Sequence, residues 1–377
     1  MQTSDFSPTA TTGSGKIVFA NQLRGLAALC VVFIHYTVVY QYMRPLLSWV
    51  IAAPPIDGPI PAFVTSVYSW WLDLGAFGVA LFFLISGFVI PFSLEKNTTS
   101  IFLIARALRI FPTYWAALLI EWSIIHIASR HWGRPIVFTR QTFLDNLLLL
   151  HTSIGDLGVD FVNWTLAVEI KFYLLMALLR PLILRKRIWP LLLYPVAALL
   201  LNTAQGNGLI HLPAQLVAES MFVAFILPGT LFYYRAAGSI RTRTLLLGCV
   251  AIVALATACW RFGPNPGEFP LKPLNYLYAL GVFGSAFAAR HWFRRVRVLD
   301  FFAAISYPLY LIHSLVGFST MSFLILVMKV HYEAAAPMAF VVAVCVAWAL
   351  HISVERLSIS AGHRLRSSSS RPRYSTG

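Results

Sequence analysis

Ten apolar runs, separated by short polar connections, constrain this chain more than any other feature of its sequence. They cover residues 17–40, 75–94, 107–129, 164–184, 188–204, 214–234, 244–261, 273–289, 299–328 and 335–356. A helix that crosses a bilayer needs about 20 mainly apolar residues, and most of these runs supply them. One soluble core cannot absorb so much apolar side chain: the chain is 58% hydrophobic and 11% charged, against about 25% charged in a typical soluble domain. The expected fold is all-α, a polytopic transmembrane helical bundle with about ten spanning helices. Residues 1–16 read as a polar tail without a cleavable signal pattern, 17–357 as one transmembrane domain, and 358–377 as a basic tail. Pro308 in the ninth run predicts a kink or break, because proline removes a helix hydrogen bond. The stretch "RQTFLDNLLLLH" at 140–151 is too short to span and is expected to lie in the interface or re-enter.

The net charge of +15 does not indicate nucleic acid, because the basic residues fall in short clusters between apolar runs. Such clusters report membrane orientation. With the N-terminus inside, the inner connections hold Lys96, Arg106, Arg109, "RKR" at 185–187, Arg235, Arg241, Arg243 and "RHWFRRVR" at 290–297. The C-terminal tail adds Arg364, Arg366, Arg371 and Arg373, whereas the outer connections 205–213 and 329–334 hold almost no basic residue. The outer segment 130–140 departs from the trend with three arginines. Both termini are therefore expected in the cytoplasm. Residues 41–74 and 130–163 become the longest outer loops, and long loops are usually functional. No internal repeat is visible, which weakens a transporter built from inverted halves. Cys30, Cys249, Cys259 and Cys345 sit in apolar segments without metal or redox spacing, and read as small buried hydrophobes.

Within the first run, "NQLRGLAALCVVFIHYT" carries two ionisable side chains, Arg24 and His35. Eleven steps of about 100° return to within about 20° of the start, so the two share a helix face, roughly 16 Å apart along the axis. Ala27, Ala28 and Val31 lie between them on that face and are small enough to leave a groove. Arginine in mid-membrane costs from about 2.5 kcal/mol upward, so such residues face a bundle interior, a partner or a cavity. The arrangement suits a conduit with an anion binder at the inner end and a base at the outer end. "NWTLAVEIKFY" places Glu169 at a depth comparable with His35, where a carboxylate could orient the ring and stabilise imidazolium. Glu169 and Lys171 lie about 200° apart on their helix and do not face each other. Arg106 and Arg109, at i and i+3 in "RALRIFPTYW", sit on the cytoplasmic edge. Ser306, Tyr310 and His313 in "ISYPLYLIHS" share one face about the kink-prone Pro308 and suit a polar core or helix–helix contacts. Glu355 and Arg356, closing the last run, read as a structural salt bridge.

Together these segments resemble the acyltransferase-3 family of integral membrane O-acyltransferases. The matching pieces are "LRGLAALCVVFIHY", "ALFFLISGFVI", "RALRIFPTYW", "WTLAVEIKFYLL" and "SYPLYLIHS", which run in family order across residues 17–357. The resemblance implies transfer of an acyl group, commonly acetyl, from cytoplasmic acyl-coenzyme A to a hydroxyl of an extracytoplasmic glycan or glycolipid. It also implies that Arg24 and His35 form the essential pair, that Arg106 and Arg109 suit the donor's phosphates, and that Glu169 is the acidic residue of the fourth-run motif. A bacterial inner membrane is the expected location. The donor is expected as a substrate, with no permanently bound cofactor and no metal. The membrane domain is expected to receive the acceptor itself or from a partner that delivers it. The polar acyl-coenzyme A donor fits an arginine clamp at the inner face, and its slim pantetheine arm could thread past the alanines. His35 would then deprotonate the acceptor hydroxyl, with a covalent acyl-histidine relay as the less favoured route. A transporter or flippase for a glycan or small metabolite is the alternative from another class, since buried Arg and His also serve transport pathways.

Overall fold

The structure is a computed structural model that describes residues 15–67, 69 and 71–369. The chain is 79% helical, with no strand among the described residues. The principal helices are α1 (Gly15–Ile34), α2 (Leu74–Glu95), α3 (Thr99–Trp132), α4 (Asn163–Leu178), α5 (Trp189–Gly206), α6 (Ala214–Ala236), α7 (Thr242–Phe262), α8 (Leu271–Ala288), α9 (Arg297–Ala304), α10 (Ser306–Leu326), α11 (Tyr332–Leu350) and α12 (Arg356–Ser369).

Seven helices are long and apolar enough to cross a membrane: α1 with its extension to Tyr42, α2, α3, α6, α7, α10, and α11 with the turns beyond it. The remaining expected runs are shorter helices, 16 residues in α4 and 18 each in α5 and α8. α4 stops at Leu179 because Pro181 follows, and an Arg180–Leu184 helix begins there with that proline in its first turn. The ninth run breaks at Ile305, three residues before Pro308. Pro308 thus falls in the first turn of α10, where its missing N–H has no partner to lose. The stretch 140–151 forms the short helix Arg140–Leu147 and the start of His151–Ile154, as befits a segment too short to span. The first part of the expected basic tail is not an extension free of the bundle: residues 356–369 form α12, which packs on α3, while 370–377 and 1–14 lie outside the described residues.

α6 is the most enclosed of these seven helices, with 89% of its apolar window buried. It packs against α2, α4, α5 and α7, and α2 in turn packs against α1 and α8. The α2–α6 crossing is made by Gly87 and Gly229: a Cβ on either would overlap the other helix's backbone, at the Ile226 or Leu84 carbonyl. Small residues permit this approach, and packing rather than hydrophobicity drives helix association in lipid. The same effect removes the expected groove beside Ala27 and Ala28. Both alanines are buried, and the Ala27 carbonyl lies 2.8 Å from where a Cβ on Gly78 of α2 would stand. Their small size brings α1 and α2 together instead of leaving a passage. α7 and α11 show their apolar side chains outward, among them Leu246, Val250, Val341 and Trp348, the surface expected against lipid tails.

Candidate active site

Two openings lie side by side inside the bundle. The larger, about 720 Å³, is lined by His35, Asp73, His151, Asp160, Trp164, Lys272 and Tyr310, among others. The smaller, about 80 Å³, is lined by Arg24, Ser86, Arg109, Glu169, Tyr173, Ser306 and Tyr310. Val79 of α2 and Tyr310 of α10 belong to both walls, so the two openings adjoin between these helices.

His35 stands where α1 changes form. The helix is regular to Ile34, and the five residues from His35 to Val39 make a wider π turn. Thr37 donates its hydroxyl to the Phe33 carbonyl at 2.7 Å, a side-chain bond that competes with the backbone ladder and bends helices. π turns of this kind occur often at functional sites. On the facing helix α10, His313 is fully buried, and its Nε2 lies 2.8 Å from His35 Nδ1. The two rings are nearly parallel, 22° apart with centroids at 4.9 Å. Tyr36 donates its hydroxyl to the His313 carbonyl at 2.9 Å, over Gly317, where a Cβ would overlap that hydroxyl.

In the smaller opening, Glu169 accepts hydrogen bonds from Ser86 at 3.3 Å and from the Tyr173 hydroxyl. Arg24 lies within electrostatic reach of Arg109, Glu169 and Glu355, and Arg106 within reach of Arg109 and Glu169. Arg106 is 9% exposed, donates to Ser93 at 3.3 Å and stacks its guanidinium against Phe102 and Tyr173. Arg24, Arg106 and Arg109 therefore gather near Glu169, with Glu355 also within reach of Arg24, and the three arginines outnumber the two carboxylates, which suits an anion.

The sequence reading and the structure part company over Glu169. Its hydrogen bonds serve Ser86 and Tyr173 beside Arg24, whereas the partner of His35 is His313. Similar depth on two helices fixes neither their azimuth nor their neighbours, so depth alone could not pair them. Lys171 faces away from Glu169 as expected, and pairs with Glu219 of α6 at 2.5 Å. Of the three α10 residues, only Ser306 and Tyr310 line the openings. Ser306 lines the small opening, Tyr310 lines both, and His313 reaches His35. Thr165 donates to the Val162 carbonyl at 2.8 Å and so accepts from Tyr310 at 2.9 Å, tying α10 to α4. Glu355 pairs with His351 at 2.6 Å across a second π turn.

Several site residues escaped the sequence reading. The Asp160 carboxyl on the large wall accepts from Ser314 and from the Phe161 N–H, and it meets the Glu121 carboxyl of α3, which is 1% exposed. Glu121 was findable, as an acidic residue inside an apolar run. Asp73 caps α2, accepting from Gly75 and Ala76 at 2.9 and 3.0 Å, and pairs with Lys272 at 2.7 Å. Burial pushes the Asp73 carboxyl up, but Lys272 and the two backbone donors outweigh it and hold the group below its ordinary value. Burial pushes the His151 imidazole down to about 4.

The helical bundle thus holds an arginine-lined pocket and a histidine-lined cavity on the two sides of Val79 and Tyr310. The profile of the acyltransferase-3 family, described as an acyltransferase domain, matches residues 17–352. The chain belongs to that family, whose members transfer groups other than aminoacyl groups, and it is an integral membrane protein. Nodulation protein 10 of Rhizobium leguminosarum bv. viciae is 29% identical over 157 residues, which cover 35% of this chain. The matched part spans 38% of the length of that relative. No solved structure matches the chain.

Proposed function

We propose that the protein moves an acyl group, acetyl in the first instance, from cytoplasmic acyl-coenzyme A to a hydroxyl of an extracytoplasmic glycan or glycolipid in a bacterial inner membrane. The observation that carries this reading is the wall of Val79 and Tyr310 that the two openings share. A donor held by its phosphates at Arg24, Arg106 and Arg109 would present its thioester along that junction, toward the cavity that His35 lines. His35 takes the proton of the acceptor hydroxyl as its oxygen attacks the thioester carbonyl. The carbon–sulfur bond breaks, and the coenzyme A thiolate leaves with the proton returned by His35. Direct transfer needs no acyl-enzyme, and the cavity is large enough for a sugar unit at the attack position. Glu169 balances part of the arginine charge and orders it through Tyr173 and Ser86.

The test uses purified full-length protein with radiolabelled acetyl-coenzyme A and octyl β-glucoside plus a bacterial glycolipid extract as acceptor probes. Label should appear as hydroxylamine-labile ester in the sugar fraction. His35→Ala should lower turnover by about 10²-fold or more while donor binding survives. Arg109→Gln should weaken donor binding about tenfold, the loss of about one charge-assisted contact. A folded His35→Ala protein that acylates at the wild-type rate would refute the base assignment. Absence of any ester under wild-type conditions would refute the transfer reading and favour transport.

A further inference from the structure

We infer that His313 is a positioning residue, holding His35 as its Nδ1–H tautomer so that Nε2 is the basic atom presented to the large cavity. The inference deepens the proposed function and rests on it, since it specifies how the base assigned there is prepared.

The assignment follows from the hydrogen-bond network. His313 Nδ1 lies 2.9 Å from the Tyr310 carbonyl oxygen and 3.1 Å from that of Leu309. Carbonyl oxygens only accept, so Nδ1 of His313 carries the hydrogen. The ring is fully buried within α10, and no carboxylate of the described residues hydrogen-bonds to it. A second proton would place an unpaired cation in the bundle interior, which is costly. His313 Nε2 is therefore a bare acceptor. Its partner at 2.8 Å is His35 Nδ1, which must donate. A neutral imidazole carries one hydrogen, so the lone pair of His35 sits on Nε2.

The surroundings hold this geometry fixed. Tyr36, next in sequence to His35, donates to the carbonyl of His313 itself, so α1 and α10 are tied at both members of the pair. Phe318 packs against His35 at 6.2 Å and against Tyr36 at 6.3 Å. When Nε2 takes the acceptor's proton, the imidazolium keeps its Nδ1–H bond to His313, which accepts without changing its own protonation. The proton then goes from Nε2 to the departing thiolate. No proton passes through His313. Its work is orientation, and the analogous loss of an orienting partner in the serine-protease triad costs about 10⁴-fold through the wrong tautomer.

The experiment compares wild type, His313→Leu, His313→Gln and His35→Ala as full-length proteins in detergent, with acetyl-coenzyme A and octyl β-glucoside. His313→Leu should lower kcat by about 10²-fold or more, while KM for acetyl-coenzyme A stays within about twofold. His313→Gln should recover at least about tenfold of that loss, because its carboxamide oxygen can accept from Nδ1–H. Nitrogen-15 spectra of histidine-labelled wild type, with His35 assigned by its absence in His35→Ala, should show Nδ1 protonated and Nε2 bare. This spectrum decides the matter even if the leucine variant fails to fold. A His35 protonated at Nε2 instead would overturn the inference, as would wild-type kcat in His313→Leu beside an inactive His35→Ala. Full activity in His35→Ala would instead overturn the base assignment on which the inference rests.

Discussion

Single residues around the large cavity set a measurable pH response. His151 is buried on that wall, with its Nδ1 lacking a partner, Asp156 and Lys171 as charged neighbours, and an imidazole pushed from 6.5 down to about 4. Burial is the main cause, with Lys171 acting in the same direction and Asp156 against it. The unfolded chain accepts this proton near its ordinary value, and the folded chain only near the lowered one. Between them the unfolded state binds more protons, so stability rises with pH across this interval and levels off above it. Thermal unfolding in detergent should show the wild type gaining Tm from pH 4.5 to 7, with the gain reduced in His151→Gln. Equal slopes in the two proteins would remove His151 from the account. Arg24 and His35 were legible as a pair because α1 is regular from one to the other, so spacing translated directly into a shared face. The partner of His35 was not, because the rotation of α10 against α1 is set by packing that one helix's pattern does not encode.

At the scale of elements, two glycines that look alike in sequence serve different contacts. Gly87 meets backbone, since an added Cβ would overlap the Ile226 carbonyl on α6. Gly317 meets the far end of a side chain, the hydroxyl of Tyr36. Backbone cannot swing aside, so Gly87→Ala must separate α2 from α6 and also strain the bond that Thr230 donates to the Gly87 carbonyl at 3.2 Å. Overpacking of this kind costs about 1–3 kcal/mol or more, and Gly87→Ala should lower yield and Tm clearly. Gly317→Ala should leave the fold closer to wild type but push Tyr36 off the His313 carbonyl, with its loss falling mainly on kcat. Purification yield, Tm and turnover measured side by side separate the two, and a Gly317→Ala protein with unchanged turnover would show that the Tyr36 tie does not matter. The glycines were visible in sequence, but what each one faces is a tertiary fact. The break before α10 shows the same limit: Pro308 announced an interruption, and its position was fixed by where proline is tolerated, in a first turn.

For the whole molecule, the contacts show which connections share an end. Lys186 reaches Glu95 and the Tyr233 hydroxyl, Arg180 donates to the Asn97 carbonyl at 2.9 Å, and Gln22 donates to the Arg294 carbonyl. The connections after α2, α4, α6 and α8 thus lie with the start of α1, at the end where Arg24 faces its small pocket. At the other end Asp73 meets Lys272, Arg44 donates to the Gly58 carbonyl at 2.6 Å, and Gly155 lies beside Pro213. α4, α5 and α8 therefore run from one end to the other although each falls short of a full-length span, and burial against α2, α6 and α7 relieves them of facing lipid along their whole length. The clusters "RKR" at 185–187 and "RHWFRRVR" at 290–297 both sit at the Arg24 end. Basic residues are retained on the cytoplasmic side, and a phosphorylated donor would enter on the same side. Reporter fusions after residues 96, 187, 240 and 297 should therefore read cytoplasmic, and fusions after 58 and 156 extracytoplasmic. An extracytoplasmic signal at 187 or 240 would mean that α4 or α5 does not cross, one at 297 alone would mean the same of α8, and a signal at 187 would place the arginine pocket on the wrong side for its donor.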